Sequence, residues 1–242
     1  MRLDVYLAEN NLCNSRTAAA RLIEAGGVSV NGKPARKPSL SVSEDDDISV
    51  FEEMQLKYVG RGGLKLEYAI EAFELDLSGK TCVDVGASTG GFTDCMLQNG
   101  AAEVYAIDVG TDQLAEKLRN DARVISHEQT DIRGFTLEKN ADFIGADTSF
   151  ISQKLILPHI FRLLKNGGEA VVLIKPQFEV GRKSLLTKKG VVRDEKLRLK
   201  IVEEIKVFAE QCGFGYIGCE ASPITGGDGN VEYLLALRKD SV

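Results

Sequence analysis

The sequence predicts an α/β protein in which a seven-stranded, mostly parallel sheet is preceded by a small α+β domain. Three observations predict it. Thr81-Cys82-Val83-Asp84-Val85-Gly86-Ala87-Ser88-Thr89-Gly90-Gly91-Phe92 reads as a buried strand, a glycine loop and the start of a helix. That is how a ligand crevice forms at the carboxyl edge of a parallel sheet. From Thr81 onward, short β-branched apolar runs alternate with segments of helical period. Asp84, Asp108, Asp147 and Lys175 each fall at the C-terminal end of a predicted strand. One polar residue there could be accident, but four are expected when that edge is a site. The sheet is therefore expected to be Rossmann-like.

Residues 1–58 read as the small domain, with a linker over about 52–60, and residues 59–242 as the sheet domain. Leu3, Tyr6 and Leu7 share one helix face. Ser15 is a good N-cap for a second helix with Ala18, Ala19, Leu22 and Ile23 inward. Gly26-Gly27 ends it. Val28-Ser29-Val30 is a strand and Asn31-Gly32 a hairpin turn. Val42 and Ile48-Ser49-Val50 are expected to finish the small sheet, with the acidic run 44–47 as the turn between them. In the second domain, Leu64, Leu66, Ala69, Ile70 and Phe73 make a helix face leading to the strand 81–85. Strands follow at 104–107, 124–126, 141–146, 170–174, 214–219 and 231–237, with Glu232 opening the last. The run 170–174 is apolar throughout, as in a strand buried on both faces. A helix with Leu197, Ile201, Ile205 and Phe208 inward precedes the last two strands.

Composition excludes several classes. At 43% hydrophobic and 27% charged, the chain is an ordinary globular sequence. Its net charge of −6 means that any nucleic-acid surface must be local. Five scattered cysteines without C-x-x-C spacing argue for free thiols in a reducing cytoplasm, and neither they nor the isolated His127 and His159 suggest a metal site. No apolar h-region or membrane-length run is visible, so neither a secretory signal nor a membrane role is expected.

The loop Gly86-x-x-x-Gly90-Gly91 departs from the G-x-G-x-x-G of dinucleotide enzymes. An acid stands two residues before its first glycine. That suits S-adenosylmethionine, which lacks phosphate but carries an ammonium and a sulfonium. Asp84 is then a counter-charge for the amino-acid end, reached through water or backbone. Asp108 follows Gly91 by 17 residues, near the spacing at which an acid caps ribose hydroxyls. Asp131 is placed to accept from an adenine amino group. The bland alternative is a glycine-rich turn with no ligand. Lys65 lies early in its helix, where the macrodipole disfavours a cation. It is either solvated or aimed into a site.

Two segments are basic. Residues 1–42 hold Arg2, Arg16, Arg21, Lys33, Arg36 and Lys37 against three acids, and residues 175–200 hold nine Lys or Arg against three acids. The order helix, Ser-Arg, helix, Gly-Gly, Val-x-Val-Asn-Gly-Lys resembles the S-four-type RNA-binding domain. The resemblance implies that those six residues meet structured RNA, largely through phosphates.

Over nearly its whole length the chain resembles the TlyA (haemolysin A) family, and its second domain resembles the FtsJ-type ribose 2′-O-methyltransferases. The stretches that carry this are Arg61-Gly62-Gly63-Leu64-Lys65-Leu66, Gly86 to Cys95, Asp147-Thr148-Ser149-Phe150-Ile151-Ser152, Lys175-Pro176-Gln177-Phe178-Glu179 and Gly229-Asn230-Val231-Glu232-Tyr233. The resemblance implies a Lys-Asp-Lys-Glu catalytic set falling on Lys65, Asp147, Lys175 and Glu232. It implies S-adenosyl-L-methionine held by Asp84, Gly86, Ala87, Ser88, Thr89, Gly90, Gly91, Phe92, Asp108, Asp131 and Asp147. The substrate it implies is ribosomal RNA within ribosomal subunits, methylated at cytidine ribose, with Arg61, Arg182, Lys183, Lys188 and Lys189 as further RNA contacts. Thr111-Asp112 and Asp131 depart from the family's Tyr-Gly and Asn. Two rivals are a non-catalytic ribosome-binding assembly protein and a membrane-active haemolysin. Loss of Lys175 or Asp147 would favour the first, and both are present. No segment fits the second.

Overall fold

The structure is a computed structural model that describes residues 1–10, 12–13, 15–43, 45–50, 57–181, 186–187, 190–226 and 229–240. The chain forms two compact units, Met1–Lys57 and Tyr58–Val242.

In the first unit, α1 (Leu3–Glu9) and α2 (Arg16–Ala25) precede a small antiparallel sheet. The Ser15 hydroxyl accepts from the Ala18 N–H, and Gly26 closes α2 in the left-handed conformation. Strands β1 (Val28–Val30), β2 (Lys33–Pro34) and β3 (Ile48–Val50) run in the order β2-β1-β3. Asn31 and Gly32 both have positive φ, as a two-residue hairpin turn requires. Val42 does not join this sheet as expected. Its N–H bonds to the Met1 carbonyl, and Ser41 bridges to Arg2, so the segment pairs with the start of the chain instead. Leu3, Leu7, Ala19, Leu22, Ile23, Val28, Ala35 and Val42 form the core.

The second unit opens on Tyr58, which is buried in the sheet domain's core although the linker was expected to reach Gly60. The reason is local. Gly63 has no side chain to oppose the Tyr58 ring, and the Val59 N–H donates to the buried Asp94 carboxylate. Helix α3 (Gly62–Ala72) leads to β4 (Thr81–Val85), α4 (Gly91–Gln98), β5 (Glu103–Ile107), α5 (Glu116–Arg119), β6 (Val124–His127) and β7 (Ala141–Ala146). Then come a 3-10 turn at Gln153–Leu155, α6 (Leu157–Leu163), β8 (Leu164–Ile174), α7 (Pro176–Glu179), α8 (Glu195–Gln211), β9 (Phe214–Ala221) and β10 (Tyr233–Lys239).

These seven strands form one sheet in the order β6-β5-β4-β7-β8-β10-β9. β4 to β8 are parallel, and β10 is antiparallel to both neighbours. Apolar clusters cover both faces. The order reverses between β4 and β7, and a ligand crevice opens beyond the carboxyl ends of strands at such a switch point. Two boundaries differ from expectation. β8 starts at Leu164, directly after α6, and β10 starts at Tyr233, leaving Glu232 one residue ahead of it. Among the described residues, no helix is long and apolar enough to cross a membrane, and no group of metal-ligating side chains occurs.

Candidate active site

Four charged side chains from four elements meet at the switch point. Asp147 follows β7, and its N–H bonds to the Val85 carbonyl at the end of β4. Lys175 follows β8. β10 pairs with β8 through Tyr233 and Ile174, so Glu232 arrives opposite Lys175. Lys65 reaches in from the first turns of α3. Lys65 Nζ lies 2.7 Å from Glu232 Oε2 and 3.3 Å from Asp147 Oδ2, and Lys175 Nζ lies 2.6 Å from Asp147 Oδ1. Both lysines are only 8% exposed. The charges alternate, so the cluster is neutral as a whole. That is how a buried group of ions avoids an uncompensated charge. It also answers the early helix position of Lys65, whose cation is held by two acids. Burial works against ionisation of Asp147, yet the two ammonium groups hold its carboxyl below the usual carboxylate range.

Lys175 has a further partner. Its Nζ donates to the Ser149 hydroxyl at 2.9 Å. The sequence pattern assigns Ser149 no role of its own. The available signal was its place just after the strand-ending Asp147. Phe150 was missed as well. It is 90% exposed, has positive φ, and its ring packs on Phe178 at 4.9 Å.

Three cavities share Asp147 as a common wall. One of about 390 Å³ is lined by Arg61, Lys65, Phe150, Lys175, Phe178 and Glu232. A second of about 220 Å³ lies against Asp84, Gly86, Ala87, Ser88, Thr89, Gly91 and Phe92. A third, of about 480 Å³, is more apolar and is bounded by Ile107, Asp108, Val109, Asp131, Ile132 and Ile156. Arg61 therefore stands at the first two cavities, exposed at the start of α3.

Individual residues of the glycine loop behave differently from expectation. Gly90 does not line these cavities. A side chain there would run into Leu114 and Leu118 behind the loop. Asp84 is completely buried, and its Oδ2 receives the N–H and hydroxyl of Thr93 in the first turn of α4. Its Oδ1 has no partner. Asp108 receives the N–H groups of Ser88 (2.8 Å) and Gly110 (2.7 Å), so it braces two loops at the apolar cavity. Asp131, expected to meet an adenine amino group, lines the apolar cavity and is also gripped by Arg133 through bonds of 2.6–3.0 Å, which use part of its acceptor capacity. Of the expected RNA contacts, Arg2, Arg16, Lys33, Arg36 and Lys37 lie exposed in the first unit. The side chain of Arg21, and Arg182, Lys183, Lys188 and Lys189, lie outside the described residues.

Burial pushes the Asp84 carboxyl up to about 7, against the hydrogen bonds of Thr93 and with help from the charges of Asp147 and Asp108. An unfolded aspartate titrates near ~3.9. Between these values the folded protein binds the extra proton, so this group's contribution to stability is full at low pH and is lost as pH rises toward 7. Asp84→Asn is expected to remove that loss. The variant's melting temperature relative to the parent should therefore rise between about pH 4 and about pH 7 and level off above that. A parent–variant difference that is flat across this range would contradict the assignment.

The fit to a nucleoside cofactor rests on this geometry. A Cβ on Gly86 would fall 2.8 Å from the Asp147 carbonyl oxygen, so the loop lies against the cluster without side chains between them. The unpartnered Asp84 Oδ1 suits a cationic group, and the apolar cavity suits a flat ring.

Comparisons with known proteins agree with this architecture. Residues 58–239 match the FtsJ-like methyltransferase family, and residues 1–48 match the S4 domain. The protein named 16S/23S rRNA (cytidine-2′-O)-methyltransferase TlyA from Mycobacterium tuberculosis is 44% identical over 240 residues, covering 98% of this chain and 89% of its own. Hemolysin A of Brachyspira hyodysenteriae is 44% identical over 238 residues, covering 97% and 98%. A solved structure named as a hemolysin of Streptococcus thermophilus superposes with a TM-score of 0.78 at 43% identity, covering 100% of this chain and 89% of that one. With this fold, this charged cluster and these relatives, the chain belongs to the TlyA family, in which an S4 domain precedes an FtsJ-like methyltransferase domain.

Proposed function

We propose that this protein methylates the 2′-hydroxyl of a cytidine ribose in ribosomal RNA, using S-adenosylmethionine. The observation that carries the proposal is the junction of the Lys65–Asp147–Lys175–Glu232 cluster with the glycine-loop cavity at the sheet's switch point. The nucleotide and the substrate follow the names of TlyA relatives, which are rRNA (cytidine-2′-O)-methyltransferases. When bound, S-adenosylmethionine supplies an electrophilic methyl group, so the protein has to present a hydroxyl in line with it and manage one proton.

The residues have distinct tasks in this reading. Gly86 to Thr89, Gly91 and Phe92 with Asp84 hold the amino-acid end, and Asp108 and the apolar cavity hold the nucleoside. Asp147, shared by all three cavities, fixes Lys175 beside the crossing point. An ammonium has three donors. Lys175 is ion-paired with Asp147 and donates to Ser149, leaving a donor for the oxygen of the incoming hydroxyl, whose proton leaves late, to water, as the new O–CH3 bond forms. Lys65 and Glu232 complete the neutral cluster and fix Asp147 from the other side. The first unit supplies RNA affinity through its exposed basic residues. A protein acting on ribosomal subunits in this way works in the cytoplasm. A purely structural assembly factor would have no use for two lysines buried beside a cofactor crevice.

The test has two arms. Calorimetry is expected to detect S-adenosylmethionine binding, with NAD as the negative control. Purified ribosomal subunits incubated with methyl-labelled cofactor are expected to gain label recovered as 2′-O-methylcytidine. NAD binding without S-adenosylmethionine binding would overturn the cofactor, and unlabelled subunits with folded, cofactor-loaded protein would overturn the substrate. A chain lacking residues 1–57 should keep cofactor binding and lose methylation of subunits. Full activity in that chain would refute the division of labour.

A further inference from the structure

The first unit contains a charged arrangement that its core does not require. Asp4 is 4% exposed. Its carboxylate takes Nε and Nη2 of Arg2, each at 2.9 Å, and stands 3.5 Å from Nη2 of Arg16. Both arginine side chains are more than half exposed, at 53% and 61%. Arg2 immediately precedes α1 and Arg16 opens α2, positions where the helix macrodipole disfavours a cation. The apolar core uses neither guanidinium. A carboxylate taken out of water is unfavourable unless paired, so both partners depend on the pairing. Asp4 itself suits the first turn of α1 and also accepts the Val5 N–H at 3.0 Å, but that role needs neither arginine, and two cations placed against the helix dipole break a local rule in the way that tends to mark functional positions.

The geometry has a clear use. One buried carboxylate fixes the Arg2 guanidinium through two hydrogen bonds and keeps that of Arg16 within ion-pair distance, against their mutual repulsion, while both side chains stay more than half exposed. The Arg2 fork is fixed through two of its nitrogens, so Nη1 is presented in a set direction. Paired, oriented guanidinium groups suit phosphodiester oxygens, which they bind through charge-assisted hydrogen bonds. Arg2 also keeps the Asp4 carboxyl below its usual range, so the anchor stays ionised at neutral pH.

We propose that Asp4 is a positioning residue that sets Arg2 and Arg16 as a two-pronged clamp on the RNA sugar-phosphate backbone. This rests on the reading of the first unit as the RNA-binding part. It makes a prediction opposite in sign to a simple count of charge. Removing an acid from a basic surface should tighten RNA binding if only net charge matters, and should weaken it if the acid organises the clamp.

The experiment is equilibrium binding of the labelled full-length protein to purified small and large ribosomal subunits over a series of salt concentrations. Asp4→Asn is expected to weaken binding about tenfold and to lower the slope of log K against log salt by about 1. Glu9→Gln makes the same change in charge on an exposed residue of the same helix, and should leave binding unchanged or tighter. Added to an Arg2→Gln, Arg16→Gln double variant, Asp4→Asn should have no further effect. Should Asp4→Asn fail to fold by circular dichroism, Arg2→Lys decides. It keeps the charge but loses the fork, and should weaken binding nearly as much as Arg2→Gln. Parent-like or tighter binding by folded Asp4→Asn, an equal loss with and without the arginines, or parent-like binding by Arg2→Lys would each overturn the clamp. A parent protein that binds neither subunit would overturn the RNA reading itself, which separates the two failures.

Discussion

Lys175→Ala is expected to slow methyl transfer by about 10² to 10⁴-fold, the usual range for a group acting on a reacting proton or oxygen, while cofactor affinity changes little. The expectation follows from where the two functions lie. Lys175 Nζ is bound by Asp147 and Ser149 where the cavity shared with Phe150 and Glu232 meets the glycine-loop cavity, and it touches only that junction: the rest of the candidate cofactor wall, from Asp84 through the glycine loop to the apolar cavity at Asp108, is built by other residues. Asp147 keeps Lys65 as a partner, so the variant does not leave a bare buried carboxylate. Lys175→Arg should fail almost as badly, because a planar guanidinium cannot reproduce a compact ammonium shared between Asp147 and Ser149. A lysine present only as a structural ion pair predicts the reverse: partial rescue by arginine, a lower melting temperature for alanine, and a surviving rate per folded molecule. Single-turnover methylation of ribosomal subunits, with folding checked by circular dichroism, separates them. Near-parental turnover by a folded Lys175→Ala protein would take this residue out of the mechanism.

Gly86→Ala should damage both cofactor binding and stability. Gly86 has a φ of 82°, which L-residues rarely adopt, and strain of this kind is worth about 1–3 kcal/mol. The added Cβ would also lie 2.8 Å from the Asp147 carbonyl oxygen and 3.2 Å from its carbon. Those are backbone atoms at the end of a central strand, so the loop itself must give way, carrying the cofactor wall and the cluster apart. Gly167→Ala is the matched control. Its φ is also positive, at 75°, but a Cβ there meets nothing within 4 Å. Calorimetry should show S-adenosylmethionine affinity lost by more than about tenfold for Gly86→Ala, more than ~1.4 kcal/mol, and unchanged for Gly167→Ala. Equal binding by the two variants would show that close approach to Asp147 is not what Gly86 provides.

The sheet was legible because its strands are short, apolar and β-branched, and because polar residues punctuate their carboxyl ends. Asp147, Lys175 and Lys65 were legible for the same reason, since their positions in the pattern conflict with simple burial or helix preference. What escaped was set by tertiary contact. Nothing near Tyr58 in sequence says that Gly63 makes room for its ring. Gly90 looks like its neighbours in the loop, yet it faces Leu114 and Leu118 rather than a cavity. Ser149 and Phe150 sit in an irregular loop, where period carries no information about direction. The ion pair that occupies Asp131 joins residues only two apart, a spacing too common to signify anything alone.

The antiparallel strand β10 has a bearing on how the molecule is made. It lies between β8 and β9, yet it comes later in the chain than either. During synthesis the first unit and the parallel strands β4 to β8 can pair as they emerge, since domains generally fold from the N-terminal side. The far edge of β8, however, stays bare until residues 233–239 leave the ribosome, and β9 has no strand to pair with before then. A bare edge is an invitation to pair with another chain, so the unfinished protein carries an aggregation-prone edge until β10 is made. Glu232 arrives with the same strand. The charged cluster therefore gains its fourth member only when the sheet closes, and a nascent chain lacks the complete cluster until β10 has been made.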